Sequence, residues 1–148
     1  SRATFYIVQE TSKQASYLGF LNYVVYLAGH FAKQQARVHL NCHDIKEAEQ
    51  QGAVLQADEK EFIAHNLVGE GPNYGTKIEI GHQGVKPSWN RQVVINMAKV
   101  NTTFANRFTE VVDFVPLDKK AKQIARERYK LYRQMGYQLQ TIEIDHPV

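Results

Sequence analysis

The sequence predicts one α/β domain built on a largely parallel central sheet flanked by helices, and three observations predict it. From the N-terminus, apolar runs alternate with helical periodicities in the order strand, helix, strand, helix, which is the order of right-handed crossover units. The first run is almost wholly apolar, as a strand covered on both faces must be. A length of 148 residues, with no internal repeat, low-complexity tract or linker, makes about one domain and one sizeable core.

Each element has its own warrant. Residues 3–8 (ATFYIV) form the first strand. A long helix follows over 16–33, with Leu18, Leu21, Val25 and Ala28 on one face. Gln34 and Gln35 break it, and 36–42 (ARVHLNC) alternate as a second strand. Asp44 is placed to cap a helix over 45–51, which Gly52 is expected to end. A polar, glycine-rich loop spans 65–75, then short strands are expected at 77–80 and 92–96 and a short helix at 101–107. Residues 110–115 form a further strand, 118–135 a basic helix stopped by Gly136, and 137–144 a final strand.

Composition narrows the function. At 43% hydrophobic and 22% charged, the chain has the balance of a globular protein. The longest apolar stretch, 18–28, is interrupted by Asn22, Tyr23 and Tyr26 and falls short of the roughly 20 residues that span a bilayer. The first strand begins at once, so no signal peptide and a cytoplasmic location are expected. Cys42 is the only cysteine, which excludes a disulfide framework and a cysteine-based zinc site. A net charge of +3 is too small to argue for nucleic acid by itself.

No catalytic constellation assembles. Gly69, Gly71 and Gly75 lack the Lys-Ser/Thr of a phosphate loop and the spacing of a dinucleotide loop after the first strand. The six histidines are scattered, and His39 and His43 lie on a strand and its exit, so neither metal nor cofactor is expected. Glu59 and Glu61 sit in a solvated charged run, and Cys42 ends a buried strand. A binding module therefore ranks above an enzyme.

The charge is unevenly placed. Residues 117–135 carry seven Lys/Arg against two acids, whereas residues 1–116 carry eleven of each. At about 100° per residue, Lys122, Arg126, Tyr129 and Arg133 fall within an arc of roughly 60°. Leu117, Ala121, Ile124, Ala125, Leu131, Tyr132 and Met135 occupy the opposite, core-facing arc. Three cations around one phenol ring suit a ligand that joins carboxylates to an apolar or aromatic group. A solvated face with Tyr129 lying on a neighbouring loop is the plainer alternative. Arg128 points into the apolar face, so it is expected to pair with Asp113 or Glu110 and to be structural.

These residues also carry a resemblance. FTEVVDFVP (108–116) followed by KQIARERYKLYR (122–133) closely resembles the chi subunits of bacterial DNA polymerase III, and ATFYIV, ARVHLNCHD and FIAHNLVGEGP agree collinearly. The resemblance implies a Rossmann-like fold without nucleotide chemistry, no cofactor, and a non-catalytic bridge between two partners. One is the psi subunit of the clamp loader. The other is the acidic C-terminal tail of single-stranded-DNA-binding protein, which ends in Asp residues followed by Pro-Phe.

Carried over by motif, tail binding falls to Lys122, Arg126 and Tyr129, with Val115 lining an apolar pocket and Arg133 and Thr141 adjacent. Psi binding falls near Phe62, with His65 and Asn66 shaping the loop, although Phe62 equally fits a core anchor. Leu55 stands where the family often has tryptophan, and Trp89 lies in a stretch that resembles nothing in the family. Direct nucleic-acid binding is not expected, because one tyrosine is no stacking platform. The alternatives are the same adaptor serving a repair helicase, or a nucleotide-using α/β enzyme, which stabilisation by ATP or NAD in a thermal-shift screen would favour.

Overall fold

The computed structural model describes residues 1–57, 65–68, 76–87, 92–102, 104 and 108–144. Seven strands form one sheet: β1 (Arg2–Val8), β2 (Val38–Cys42), β3 (His65–Leu67), β4 (Ile78–His82), β5 (Val93–Asn96), β6 (Glu110–Val115) and β7 (Gln138–Ile144). Their spatial order is β3-β4-β2-β5-β6-β1-β7, and every pairing is parallel. Three helices flank the sheet: α1 (Tyr17–Lys33), α2 (Ile45–Ala57) and α3 (Lys119–Gln134). This is a Rossmann-like α/β architecture, as the sequence implied.

Alternation along each strand divides the core into two. On one face, Val24, Leu27 and Ala28 of α1 and Ala48 and Leu55 of α2 pack on Val38, Leu40, Ile78, Ile80 and Ile95. On the other, Tyr132 of α3 joins Ala3, Phe5, Val94 and Val111, with Phe108 and Tyr137 closing the edge. Asp44 caps α2 as expected, its Oδ1 accepting from Glu47 N. Ser16 and Asp118, expected as the first residues of their helices, stand just before them as caps, Ser16 Oγ accepting from Gly19 N and Asp118 Oδ2 from Ala121 N. Gly136, at φ +94°, ends α3 in the left-handed conformation that favours glycine.

Four expectations are corrected. Gly52 does not end α2, which runs on to Ala57; the helix gains the burial of Leu55, 4% exposed, by continuing. A Cβ at Gly52 would lie 3.7 Å from Ile80 Cδ1, so the glycine sits inside a close helix–sheet packing. The stretch expected as a loop from 65 begins with strand β3, because pairing with β4 satisfies its backbone. Asn101, Thr102 and Phe104 are not helical, and the rest of 101–107 lies outside the described residues. Leu117 precedes α3 and is 39% exposed, so it is no part of the helix's core face. The strands expected at 77–80 and 92–96 lie at 78–82 and 93–96. Phe62, Glu59, Glu61, the three loop glycines and Trp89 lie outside the described residues.

Candidate functional site, the cationic stripe of α3

The stripe begins with how α3 is seated. Ala121, Ala125, Arg128 and Tyr132 are its buried positions, spaced four, three and four apart along one helical face. The buried line thus passes through an arginine. Arg128 Nε and Nη2 grip Asp113 Oδ2 and Oδ1, each at 2.9 Å, in a two-pronged ion pair whose partners are 3% and 0% exposed. Arg128 Nη1 also donates to Val100 O, and Tyr132 OH to Asp113 Oδ2 at 2.9 Å. Burial works against the Arg128 charge, but Asp113 outweighs it and raises the guanidinium's pKa. Burial, with Asp113 beside it, pushes the Tyr132 phenol well up. Glu110, the other candidate partner, is taken by Arg2 at 2.8 Å.

The network continues across the sheet. Asn96 Nδ2 donates to Asp113 Oδ2, and Asn41 Nδ2 donates to Asn96 Oδ1. Sequence reasoning named Asp113 and missed both asparagines. Their signal was present: an asparagine within a buried strand must find a partner.

With Arg128 turned inward, the outward line is fixed. Arg126 and Arg133 are exposed, and Lys122 and Tyr129 are half-buried. The Tyr129 ring rests on Phe5, centroids 5.3 Å apart, so it lies on strand β1 rather than on the neighbouring loop of the plainer alternative. Arg133 covers the other side, its guanidinium carbon 5.1 Å from the ring centroid, and Arg133 Nη2 reaches Tyr129 OH at 3.5 Å. Lys122 and Arg126 have no carboxylate partner among the described residues.

The sheet supplies the floor beside the stripe. Thr141 of β7 stands opposite Phe5, and Ile7 of β1 stands between Val115 and Glu143 in register. Val115 and Tyr129 pack against the same core cluster. Tyr129, with Arg133 over it, thus lies on the face of β1 that also carries Val115's neighbour Ile7, Thr141 is the strand partner of Phe5 beneath the ring, and Lys122 and Arg126 stand on the same line of α3 as Tyr129. Ile7 was missed; strand alternation from Phe5 was the signal. His65 is elsewhere, half-buried at the start of β3 on the opposite edge of the sheet.

The arrangement offers two cations unpaired among the described residues, a phenol ring held from both sides and a half-buried apolar strip. Such a surface can bind carboxylates next to a hydrophobic side chain. No helix of the described residues is long and apolar enough to cross a membrane, and no group of three potential metal ligands occurs among them.

Fold and stripe together define a Rossmann-like α/β protein whose most developed surface is a cationic helix beside a sheet edge. Residues 1–140 match the family model described as DNA polymerase III chi subunit, HolC. The chain is 38% identical over 140 residues to DNA polymerase III subunit chi of Escherichia coli K12, covering 94% of this chain and 95% of that protein. It is 37% identical over 116 residues to the Haemophilus influenzae subunit chi, covering 78% and 81%, and 26% identical over 141 residues to that of Pseudomonas aeruginosa, covering 95% and 94%. The chain belongs to the DNA polymerase III chi subunit family, which are accessory subunits in DNA replication.

Proposed function

We propose that this protein is a non-catalytic adaptor of the polymerase III holoenzyme, acting in the cytoplasm as a single domain. It links the acidic C-terminal tail of single-stranded-DNA-binding protein to psi, and through psi to the clamp loader. The observation that carries this reading is the contrast between neighbouring arginines. Arg128 is consumed by Asp113, whereas Arg126 and Lys122 have no carboxylate partner among the described residues and lie beside a seated Tyr129. Unpaired cations flanking an apolar strip are complementary to acidic residues followed by Phe.

In this reading Arg126 takes the terminal carboxylate or an Asp as a fork. Lys122 and Arg133 add attraction that salt screens. Val115 and Tyr129 receive the terminal phenylalanine, with Thr141 at the rim. Psi engages the opposite edge of the sheet, where His65 begins β3, with Phe62 assigned to it by the family motif alone, so both partners bind together.

The test is a titration with a short peptide ending in Asp-Asp-Ile-Pro-Phe at low and physiological salt. Binding in the micromolar range is expected, on the order of −7 to −8 kcal/mol, weakening as salt rises. Arg126→Ala should weaken it about tenfold or more. A variant that binds like wild type would show that the pocket is misplaced.

A further inference from the structure

β7 lies at one edge of the sheet, and its outer side is open. It pairs with β1 alone, in unbroken parallel register from Gln138 to Ile144. Gln138 N donates to Ser1 O at 3.0 Å, so Gln138 turns its backbone groups towards β1. Backbone direction alternates along a strand, so Gln140 and Ile142 turn the same way. Leu139, Thr141 and Glu143 therefore point their N–H and C=O groups away from the sheet, and none of these groups has a partner among the described residues. A long open edge invites pairing, and proteins ordinarily blunt one with lysine, proline, a bulge or shortness. β3, at the opposite edge, has three residues. β7 has seven, QLQTIEI, with no lysine, proline or bulge, and Glu143 is its one charge.

The stripe of α3 overlooks this edge. Arg128 reaches Asp113 of β6, whereas Tyr129, about 100° further round the helix, rests on Phe5 of β1. β1 lies between β6 and β7, so the turn from Arg128 to Tyr129 leads across the sheet towards β7. Lys122, Arg126 and Arg133 share the line of Tyr129 and so lie on the β7 side of the helix. As a crossover between parallel strands, α3 runs antiparallel to them, which brings Arg133 level with Leu139 and Lys122 level with Glu143. From Lys122 to Arg133 the helix rises about 16 Å. From Leu139 to Glu143 the strand rises about 13 Å, so the two spans match. Leu139, Thr141 and Glu143 turn their side chains to this same face, since Thr141 is the strand partner of Phe5 and Leu139 packs on the cluster under α3. The charges beside the edge are therefore Lys122, Arg126 and Arg133 against Glu143, and none of them forms an ion pair among the described residues.

We propose that the outer edge of β7 is a strand-addition site for an extended peptide segment of another protein that carries carboxylates at every second position. Its backbone pairs with the open groups of Leu139, Thr141 and Glu143 and extends the sheet by one strand. Alternation then puts its carboxylates on the face below the stripe, where Arg133 and Arg126 stand on either side of Tyr129. Glu143 disfavours a carboxylate directly opposite itself. The ladder supplies affinity whatever the side chains, and the stripe selects the alternation. This site shares its cations with the proposed tail site but needs neither a terminal carboxylate nor a phenylalanine, so either reading can fail without the other.

The experiment is amide hydrogen exchange of the full chain, read residue by residue, with the end-blocked peptide acetyl-Thr-Asp-Thr-Asp-Thr-Asp-Thr-amide. A peptide of the same composition with its Asp residues consecutive is the control. At about ten times Kd, the amides of Leu139, Thr141 and Glu143 should exchange about tenfold more slowly. Those of Gln140 and Ile142, already turned to β1, should not change. The control should bind about tenfold more weakly. Thr141→Pro removes one outward N–H at an edge position that tolerates proline, and should weaken binding about tenfold. Arg126→Glu, at an exposed helix position, should weaken it at least as much and keeps the test open if Thr141→Pro does not fold. The proposal is overturned if the alternating peptide does not bind, if both peptides bind equally, or if binding leaves exchange at 139, 141 and 143 unchanged. Slowing that appears without peptide and grows with protein concentration would overturn it too, since a second copy would then occupy the edge. The Asp-Asp-Ile-Pro-Phe titration judges the tail reading separately.

Discussion

Replacing Arg128 by methionine isolates what seats α3 on the sheet. Methionine keeps much of the side-chain volume, so the change is mainly electrical. It removes both prongs to Asp113, at 2.9 Å each, and the bond to Val100 O, while leaving a carboxylate that is 0% exposed. Breaking a buried pair by deleting one partner costs about 3–5 kcal/mol, because the remaining charge has lost its counter-ion and has no water. Tyr132 OH, Asn96 Nδ2 and Phe114 N still donate to Asp113, which argues for the lower half of that range. A chain of 148 residues loses roughly 2–4 °C of Tm per kcal/mol, so a fall of about 10 °C is expected. Urea unfolding measures the free energy directly. The double variant Arg128→Met/Asp113→Leu should recover at least about 1 kcal/mol of the loss, since no unpaired charge remains. Two results would refute the reasoning: a loss below about 1 kcal/mol in the single variant, or a double variant as unstable as the sum of the two singles.

Arg126→Ala, two residues away but exposed, should leave stability within about 0.5 kcal/mol of wild type, checked by the same urea curves. Gly52→Ala should stabilise by about 0.5–1 kcal/mol in thermal unfolding, because the added methyl meets Ile80 Cδ1 at an ordinary 3.7 Å and a helix interior favours alanine. Gly19→Ala should cost about 1–3 kcal/mol or more, since its Cβ would stand 1.8 Å from the Lys13 carbonyl oxygen and force the start of α1 away. At alkaline pH, burial pushes the Tyr23 phenol up to about 12 and raises those of Tyr6, Tyr132 and Tyr137. A raised phenol pKa contributes stability fully below the unfolded value of 10 and loses it as pH climbs towards 12. Stability should therefore fall across that window, as unfolding followed by far-UV circular dichroism at rising pH would show.

The strands with alternating or unbroken apolar runs, β1, β2 and β6, and the capped helices α1 and α3 were legible because their signals are local. Asp44 and Gly136 mark helix ends by chemistry that needs no neighbour. The stripe was legible for the same reason: helical periodicity alone puts Lys122, Arg126, Tyr129 and Arg133 on one line. Where burial outweighed local propensity, the reading failed. Gly52 has the composition of a helix end, but Leu55 gains more by burial if the helix continues. β3 has no strand pattern of its own and exists because β4 offers it a ladder.

The sequence by itself determined that this would be a parallel α/β chain with one cationic helix, and placed Arg128 apart from the other cations. Periodicity and charge are properties of the chain in order, so order was enough. Only the tertiary structure decided that Asp113, rather than Glu110, holds Arg128, and that Tyr129 lies on Phe5 under Arg133. It alone set Thr141 opposite Phe5 and Ile7 between Val115 and Glu143. Those outcomes depend on strand order and register. Residues 15 positions apart, such as Asp113 and Arg128, meet because the crossover through α3 brings its inner face down on β6, and nothing local to either residue specifies that contact.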